Sequence, residues 1–217
     1  MVDVRLNAIV DPERANGRSL AELVRMVVAG GATLIQLRDK HGATRQMIEQ
    51  ARAIKAVLAE TGVPLVINDR VDVALIAEAD GVHVGQDDMR VEDARRLLGP
   101  RAIIGQSIKS VALANAAPVD ALDYVGVGGV YATTSKDNPN PPIGTAGLAA
   151  IVAAFRARKP NLPIVGIAGI DAGNAAPVIG AGADGVAVIS ALSAQNDPEG
   201  AARELRGIVD AALKARS

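Results

Sequence analysis

Short apolar runs alternate with longer amphipathic segments along the whole chain. The apolar runs lie at 4–10, 33–37, 64–67, 81–84, 102–104, 124–127, 163–165 and 185–189. Each run is brief and almost free of polar residues, which is typical of strands buried on both faces in a parallel sheet. The pattern therefore predicts eight buried strands.

The segments between these runs have the residue spacing of amphipathic helices. Thr44 opens one such segment, Ser19 and Glu22 form a capping box before another, and Pro198 begins the last. Strands that are each followed by a helix, or by room for one, predict an α/β fold, a single-domain (β/α)₈ TIM barrel over residues 1–217. The repeated phrase Ala-Asp-Gly-Val, at 79–82 and 183–186, hints at a doubled barrel unit.

A doubly wound open sheet is the structural alternative. That fold usually has a glycine-rich turn after its first strand, whereas Asp11-Pro12-Glu13-Arg14 follows the first strand here. The barrel is therefore the favoured prediction.

Composition narrows the classes of function. Hydrophobic residues make up 49% of the chain and aromatic residues 1%, cysteine is absent, and the net charge is −1. These values exclude wholesale disorder, thiolate metal sites and the basic, aromatic surface of a nucleic-acid binder. No apolar run approaches the ~18 residues of a membrane span. We expect a soluble, cytoplasmic protein without nucleic-acid or membrane partners, and a homo-oligomer is compatible with these observations.

In a barrel of this kind the functional residues follow the strands. Alternation after the second predicted strand directs Gln36, Arg38 and Lys40 to one face, toward the barrel mouth. Two cations there predict an anionic ligand, because unpaired charges in such a place are costly. Salt bridges to neighbouring acids are the alternative.

Carboxylates follow the third and fourth predicted strands. Asp69 comes after Asn68, and Asp87 and Asp88 follow Gly85-Gln86. Adjacent strands lie about 4.8 Å apart, so two such carboxylates can share one Mg²⁺ with substrate phosphate oxygens. Alternatively, Asp87 or Asp88 caps the next helix.

Hydroxyls and glycines follow the last three predicted strands. Thr133, Ser135 and Lys136 lie in a Gly-flanked loop, Gly169 follows strand seven, and Ser190 follows strand eight. Backbone N–H groups of such loops bind phosphate in many barrels, although the glycines can also serve tight packing. The segment 131–144 is long and proline-containing, which makes it a candidate lid.

His41 and His83 do not form a ligand set, and we expect His83 to be a packed residue. Ser107 and Ser190 lack an evident His–Asp relay, which disfavours serine hydrolase chemistry.

Seven stretches together resemble the thiamine phosphate synthase family, in the same order and over nearly the whole chain. They are QLRDK at 36–40, IND at 67–69, GVHVGQDD at 81–88, GQS at 105–107, DYVGVGGVYATTSK at 123–136, PIVGIAGI at 163–170 and GADGVAVISAL at 182–192. The resemblance implies an Mg²⁺-dependent barrel enzyme that joins hydroxymethylpyrimidine diphosphate to a thiazole phosphate and releases pyrophosphate. The resemblance further implies that the pyrimidine methylene ionises first, with loss of pyrophosphate, and that the thiazole nitrogen then captures the resulting cation.

The resemblance also implies a role for each matching residue. Asp69 and Asp88 match the magnesium carboxylates, and Gln36 matches the residue beside the pyrimidine. Pyrophosphate contacts match Arg38, Lys40, Asn68, Ser107 and Lys136, of which Arg38, Lys40, Ser107 and Lys136 form the catalytic set. The positions that receive the thiazole phosphate match Thr133, Ser135, Gly169, Ile189 and Ser190.

Two positions depart from the family pattern, Lys109 in place of a usual His and Ala132 in place of a frequent Pro.

The positive charges of Mg²⁺, Arg38, Lys40 and Lys136 exceed the negative charges of the two carboxylates, and this surplus of positive charge suits a departing pyrophosphate. Two other functions remain open, a thiazole tautomerase-like isomerase and a non-catalytic phosphometabolite-binding barrel. Neither of them requires the carboxylate pair together with Lys136.

Overall fold

The computed structural model describes residues 1–135 and 141–216. In these residues eight parallel strands pair in sequence order and close into a barrel, as the apolar pattern predicts. The strands are β1 (Leu6–Val10), β2 (Leu34–Leu37), β3 (Leu65–Asn68), β4 (Gly81–Val84), β5 (Ile103–Ile108), β6 (Tyr124–Gly128), β7 (Ile164–Ile167) and β8 (Gly185–Val188). The doubly wound alternative is therefore wrong.

Helices connect the strands on the outside of the barrel. They are α1 (Leu20–Ala29), α2 (Thr44–Leu58), α3 (Val71–Ile76), α4 (Val91–Leu98), α5 (Val111–Ala116), α6 (Gly144–Arg158), α7 (Ala175–Gly180), α8 (Ser190–Ser193) and α9 (Pro198–Arg216), with 3₁₀ turns at Pro12–Arg14 and Val119–Ala121. The predicted capping box is confirmed, since Ser19 Oγ accepts the Glu22 N–H at 3.2 Å. Among the described residues no helix combines the length and the apolar character that crossing a bilayer requires.

Strand β5 extends well beyond its predicted end at Ile104. Its ladder with β6 continues through Gln106 opposite Val125 and Ser107 opposite Gly126. Apolar patterning marks only the part of a strand that packs in the core, whereas the backbone hydrogen bonds continue past it. As a result, Ser107 stands on a strand rather than in a loop.

Two apolar layers hold the barrel together. The larger layer lies between the sheet and the surrounding helices. The smaller one fills the barrel interior and consists of Val4, Ile9, Leu34, Val66, Tyr124, Val165 and Ala187. Tyr124 is the single aromatic residue among these seven, and the other six are aliphatic.

The end of the barrel opposite the cavity, where the strands begin, is held by four side-chain hydrogen bonds. In each, the residue just before an even-numbered strand accepts a hydrogen bond from the start of the preceding odd-numbered strand. The side-chain oxygen accepts a backbone N–H at or next to the start of that strand, at 2.8–3.0 Å. The four pairs are Thr33 with Leu6, Asp80 with Leu65, Asp123 with Ile104, and Asp184 with Ile164. We call these four side chains the capping ring.

Cations from the helices neutralise the acids of the capping ring. Lys55 of α2 contacts Asp80 at 3.2 Å, Arg95 of α4 contacts Asp123 at 2.6 Å, and Arg156 of α6 contacts Asp184 at 2.6 Å. The charges at this end of the barrel are thus structural and lie opposite the end where function is expected.

Candidate active site

A cavity of about 680 Å³ opens at the C-terminal ends of the strands. Nine of the predicted substrate-binding residues line it, and they come from six of the eight strands or from the loops that follow them. They are Gln36, Arg38, Asn68, Ser107, Thr133, Ser135, Gly169, Ile189 and Ser190. Closure of the barrel therefore brings together residues that are far apart in the chain.

Arg38 reaches the cavity from just beyond β2. Val10 pairs with Leu37, so the residues that follow these two, Asp11 and Arg38, are neighbours at the barrel rim. The Arg38 guanidinium donates to the Asp11 carboxylate. Gln36, on the same face of β2, is buried in the cavity floor.

Lys40 does not continue the alternation predicted for Gln36 and Arg38. Strand β2 ends at Leu37, and Lys40 lies in a bend beyond it, outside the cavity lining. Its ammonium donates to the Asp69 carboxylate. Both cations of this segment are therefore in salt bridges, which was the alternative open from the sequence, and Arg38 also faces the cavity.

Asp69 and Asp88 lie against each other beyond β3 and β4. Asp69 has a left-handed backbone with φ of 63°, and Asp88 Oδ2 accepts the Gly85 N–H at 2.7 Å. Partial burial and the adjacent Asp69 carboxylate raise the pKa of Asp88, against the opposing influence of the Gly85 N–H and of Lys40. Helix α4 has Arg90 as its N-cap, so the capping role considered for Asp87 or Asp88 is wrong.

The carboxylate pair fits a hard cation such as Mg²⁺, which binds oxygen and keeps several water or substrate ligands. Two like charges in contact are relieved by a cation. Within residues 1–135 and 141–216 no group of three or more His, Cys, Asp or Glu side chains is arranged around a metal position. Such a cation would need further oxygen ligands beyond these two carboxylates.

A hydrogen-bonded chain crosses the barrel interior beneath the cavity. His83 Nδ1 lies 2.9 Å from Tyr124 Oη, and His83 Nε2 lies 2.9 Å from Ser107 Oγ. Burial raises the pKa of the Tyr124 phenol far above its ordinary value, so the phenol keeps its proton. A Cβ at position 105 would lie 2.3 Å from the Tyr124 ring, so Gly105 makes room for the chain.

His83 is packed in the interior, as expected, but it also lines the cavity. The hydrolase triad remains disfavoured, because a phenol rather than a carboxylate contacts His83 Nδ1.

Hydroxyls and glycines gather on the opposite side of the cavity. We call Thr133, Ser135, Gly169, Ile189 and Ser190 the hydroxyl cup. Ser135 Oγ lies 3.2 Å from Ser190 Oγ, and the Ser135 N–H donates to Thr133 Oγ1 at 3.1 Å.

Gly169 packs directly against the loop that follows β6. Its φ is 65°, and a Cβ there would lie 2.2 Å from the Ala132 carbonyl oxygen. The Tyr131 N–H also donates to the Ala168 carbonyl at 3.1 Å, which joins the two loops. Lys136 and residues 137–140 of the candidate lid lie outside the described residues.

Three residues near the cavity were not assigned a role from the sequence. Asp11 is buried behind Arg38, Tyr124 is buried behind His83, and Lys109 lines the cavity next to Ser107. Continued alternation along β5 would have identified Lys109, which forms no ion pair within the described parts of the chain. Asp11 directly follows β1, so the rule that functional residues follow the strands could have identified it, whereas no local signal distinguishes Tyr124.

Comparison with known proteins agrees with this arrangement. The family model described as thiamine monophosphate synthase matches residues 6–192. Thiamine-phosphate synthase of Agrobacterium fabrum is 51% identical over 215 residues, covering 99% of this chain and 98% of that protein. The corresponding protein of Chloroflexus aurantiacus is 48% identical, covering 96% of this chain and 94% of its own length. Thiamine phosphate pyrophosphorylase from Pyrococcus furiosus superposes with a TM-score of 0.85 at 37% identity and 98% coverage of both chains.

Proposed function

Because this chain belongs to the thiamine monophosphate synthase family of transferases, we propose that it joins hydroxymethylpyrimidine diphosphate to a thiazole phosphate and releases pyrophosphate. One observation carries the proposal. A single cavity is lined by the Arg38 guanidinium and by the hydroxyl cup, and the carboxylate pair lies outside this lining, with Asp69 directly following the lining residue Asn68. Two anionic substrates can therefore meet in it with their phosphates apart.

The diphosphate binds on the β2–β5 side in this proposal. Arg38 offers a planar set of donors, Asn68 an amide and Ser107 a hydroxyl, all lining the same wall. Lys40 adds a charge next to the carboxylate pair. Negative charge that collects on the departing oxygens is stabilised by such fixed donors more strongly than the bound substrate is.

Asp69 and Asp88 would hold Mg²⁺, which supplies neutralisation of the diphosphate oxygens when it is bound. Lys40 donates to Asp69 and thereby orients that carboxylate. The left-handed backbone of Asp69 supports the same role, since strained conformations cluster where a side chain must be aimed.

Ser107 acts as an oriented donor in this proposal and not as a nucleophile. If the protonated Tyr124 phenol donates to His83 Nδ1, a neutral imidazole carries its proton on Nε2 and donates it to Ser107 Oγ. The Ser107 O–H then points away from the imidazole and toward the cavity. No general base is needed for bond formation, because the thiazole nitrogen already carries a lone pair.

The thiazole phosphate binds in the hydroxyl cup. Glycine at position 169 lets phosphate oxygens approach the backbone, and the Ser135 and Ser190 hydroxyls converge there. We assign Lys136 to the leaving pyrophosphate on the strength of the family resemblance.

Turnover of the purified full chain tests the proposal. Pyrophosphate release should require both substrates and Mg²⁺, and the organic product should be thiamine phosphate by mass spectrometry. An Asp69→Asn/Asp88→Asn double variant serves as the matched control, because it keeps the shape of both side chains and removes their charge. Isomerisation of a thiazole phosphate without pyrophosphate release would favour the tautomerase-like function. Substrate binding without turnover would favour the non-catalytic one.

A further inference from the structure

The buried carboxylate of Asp11 does not line the cavity, yet it contacts Arg38, which does. Its side chain is 2% exposed, and that of Arg38 is 14% exposed. A carboxylate so deeply buried is stable only when it is paired and hydrogen-bonded. Here Oδ2 accepts from Arg38 and Oδ1 accepts the Glu13 N–H at 3.0 Å.

The segment that carries Asp11 is itself fixed on both sides. It follows β1 directly, and the Arg38 N–H donates to the Val10 carbonyl at 2.9 Å across the β1–β2 ladder. Farther along, Arg18 donates to the Gln195 carbonyl at 3.0 Å and to the Asn196 carbonyl at 3.1 Å. Asp11 is therefore a fixed reference point at the rim and not a mobile surface acid.

An unpaired arginine at the cavity wall would have several rotamers available. Asp11 accepts from Nη1 of the Arg38 guanidinium, and the other guanidinium N–H groups stay available to an anion in the cavity. The Arg38 side chain is then ordered before the substrate binds. Asp11 thereby improves substrate affinity and the geometry of binding without contacting the substrate itself.

We infer that Asp11 is a positioning residue that orients Arg38 toward the diphosphate end of the substrate. The inference rests on the proposed function for the identity of that ligand. The role is electrostatic and directional, so an isosteric amide should not replace it. In Asp11→Asn the amide oxygen still accepts the Glu13 N–H, and the amide NH₂ then faces the Arg38 donors.

The experiment measures binding of inorganic pyrophosphate with Mg²⁺ by calorimetry, together with KM for each substrate. Asp11→Asn should weaken pyrophosphate binding by roughly 10- to 100-fold. KM for the thiazole phosphate should stay within about twofold, since the hydroxyl cup lies on the other side of the cavity. Glu13→Gln is the matched control, because it removes the same charge from an exposed side chain two residues away and should leave both values unchanged.

A double-mutant cycle shows whether Asp11 acts through Arg38. In an Arg38→Ala background, Asp11→Asn should have no further effect on pyrophosphate affinity. The same loss in both backgrounds, or unchanged or tighter binding by Asp11→Asn alone, would overturn the inference. If Asp11→Asn fails to fold, Asp11→Glu keeps the charge and changes its reach, and it should still weaken pyrophosphate binding severalfold. Because pyrophosphate affinity is measured without turnover, an inactive wild-type chain would refute the proposed function and still leave this cycle interpretable.

Discussion

Replacing Gly169 by alanine is a sharp test of the hydroxyl cup, because two separate costs of the added methyl group can be assigned. The backbone at Gly169 has a φ of 65°, which costs an L-residue about 1–2 kcal/mol. The new Cβ would also lie 2.2 Å from the Ala132 carbonyl oxygen and 2.8 Å from Tyr131 Cβ. Forcing these atoms apart adds about 1–3 kcal/mol. The free energy of unfolding should therefore fall by about 2–5 kcal/mol, and Tm by roughly 5–15 °C.

Gly62→Ala is the matched control for the first cost. Gly62 has a φ of 71°, and nothing lies within 4 Å of its added Cβ. The free energy of unfolding of Gly62→Ala should fall only by about 1–2 kcal/mol, which is the cost of the left-handed conformation. The difference between the two variants in urea unfolding then isolates the contact between the loops after β6 and β7.

The two glycine variants should differ more clearly in function. In Gly169→Ala the loop that carries Thr133 and Ser135 must move, so KM for the thiazole phosphate should rise by about tenfold or more. Ser190→Ala removes only one hydroxyl and should raise it by no more than severalfold. If Gly169→Ala and Gly62→Ala lose the same stability and both keep the wild-type KM, the loops do not pack as described and the cup is elsewhere.

Three further predictions concern the metal pair, the leaving group and the capping ring. Asp69→Asn and Asp88→Asn should each raise the Mg²⁺ concentration for half-maximal turnover by about tenfold or more, with little change in Tm; unchanged titration curves would remove both from the metal site. Lys136→Ala should lower kcat by ~10²–10³ and leave Tm unaltered, and a near-normal kcat would exclude a leaving-group role. Asp184→Ala should cost about 1–3 kcal/mol in urea unfolding, because a backbone N–H and two arginines lose their acceptor, while both KM values remain unchanged. Altered KM values in Asp184→Ala would contradict this prediction and show that the capping ring influences the cavity at the opposite end of the barrel.

The barrel itself could be predicted because strands buried on both faces appear in the sequence as short, nearly continuous apolar runs. Each predicted run overlaps one strand of the barrel. The end of β5 was missed because Gly105, Gln106 and Ser107 have the composition of a loop. Their place in the ladder is decided by pairing with β6, which no local pattern records.

The cavity residues could be predicted by position, since each lies near the C-terminal end of a strand or in the loop that follows it. The error at Lys40 arose from extending strand alternation past Leu37, where the chain bends and the side chain turns to Asp69. The contact between Asp11 and Arg38 spans 27 residues and depends on the register of β1 with β2. Tyr124 and His83 meet only because the closed barrel turns both inward.

The capping ring joins the strands of the barrel in pairs, whereas the residues of the cavity come from both halves of the barrel. Each capping side chain joins an odd-numbered strand to the even-numbered strand that follows it. A chain break between β4 and α4 therefore separates none of the four caps from its strand. It also keeps each acid of the capping ring in the same fragment as the helix cation that contacts it. Two half-barrels produced in this way should therefore be able to recombine. Neither half holds a complete cavity, because Arg38 and Asn68 belong to the first and Ser107 and Ser190 to the second. Recovered activity on mixing the halves would thus report reassembly of the whole barrel, with no background from either half alone.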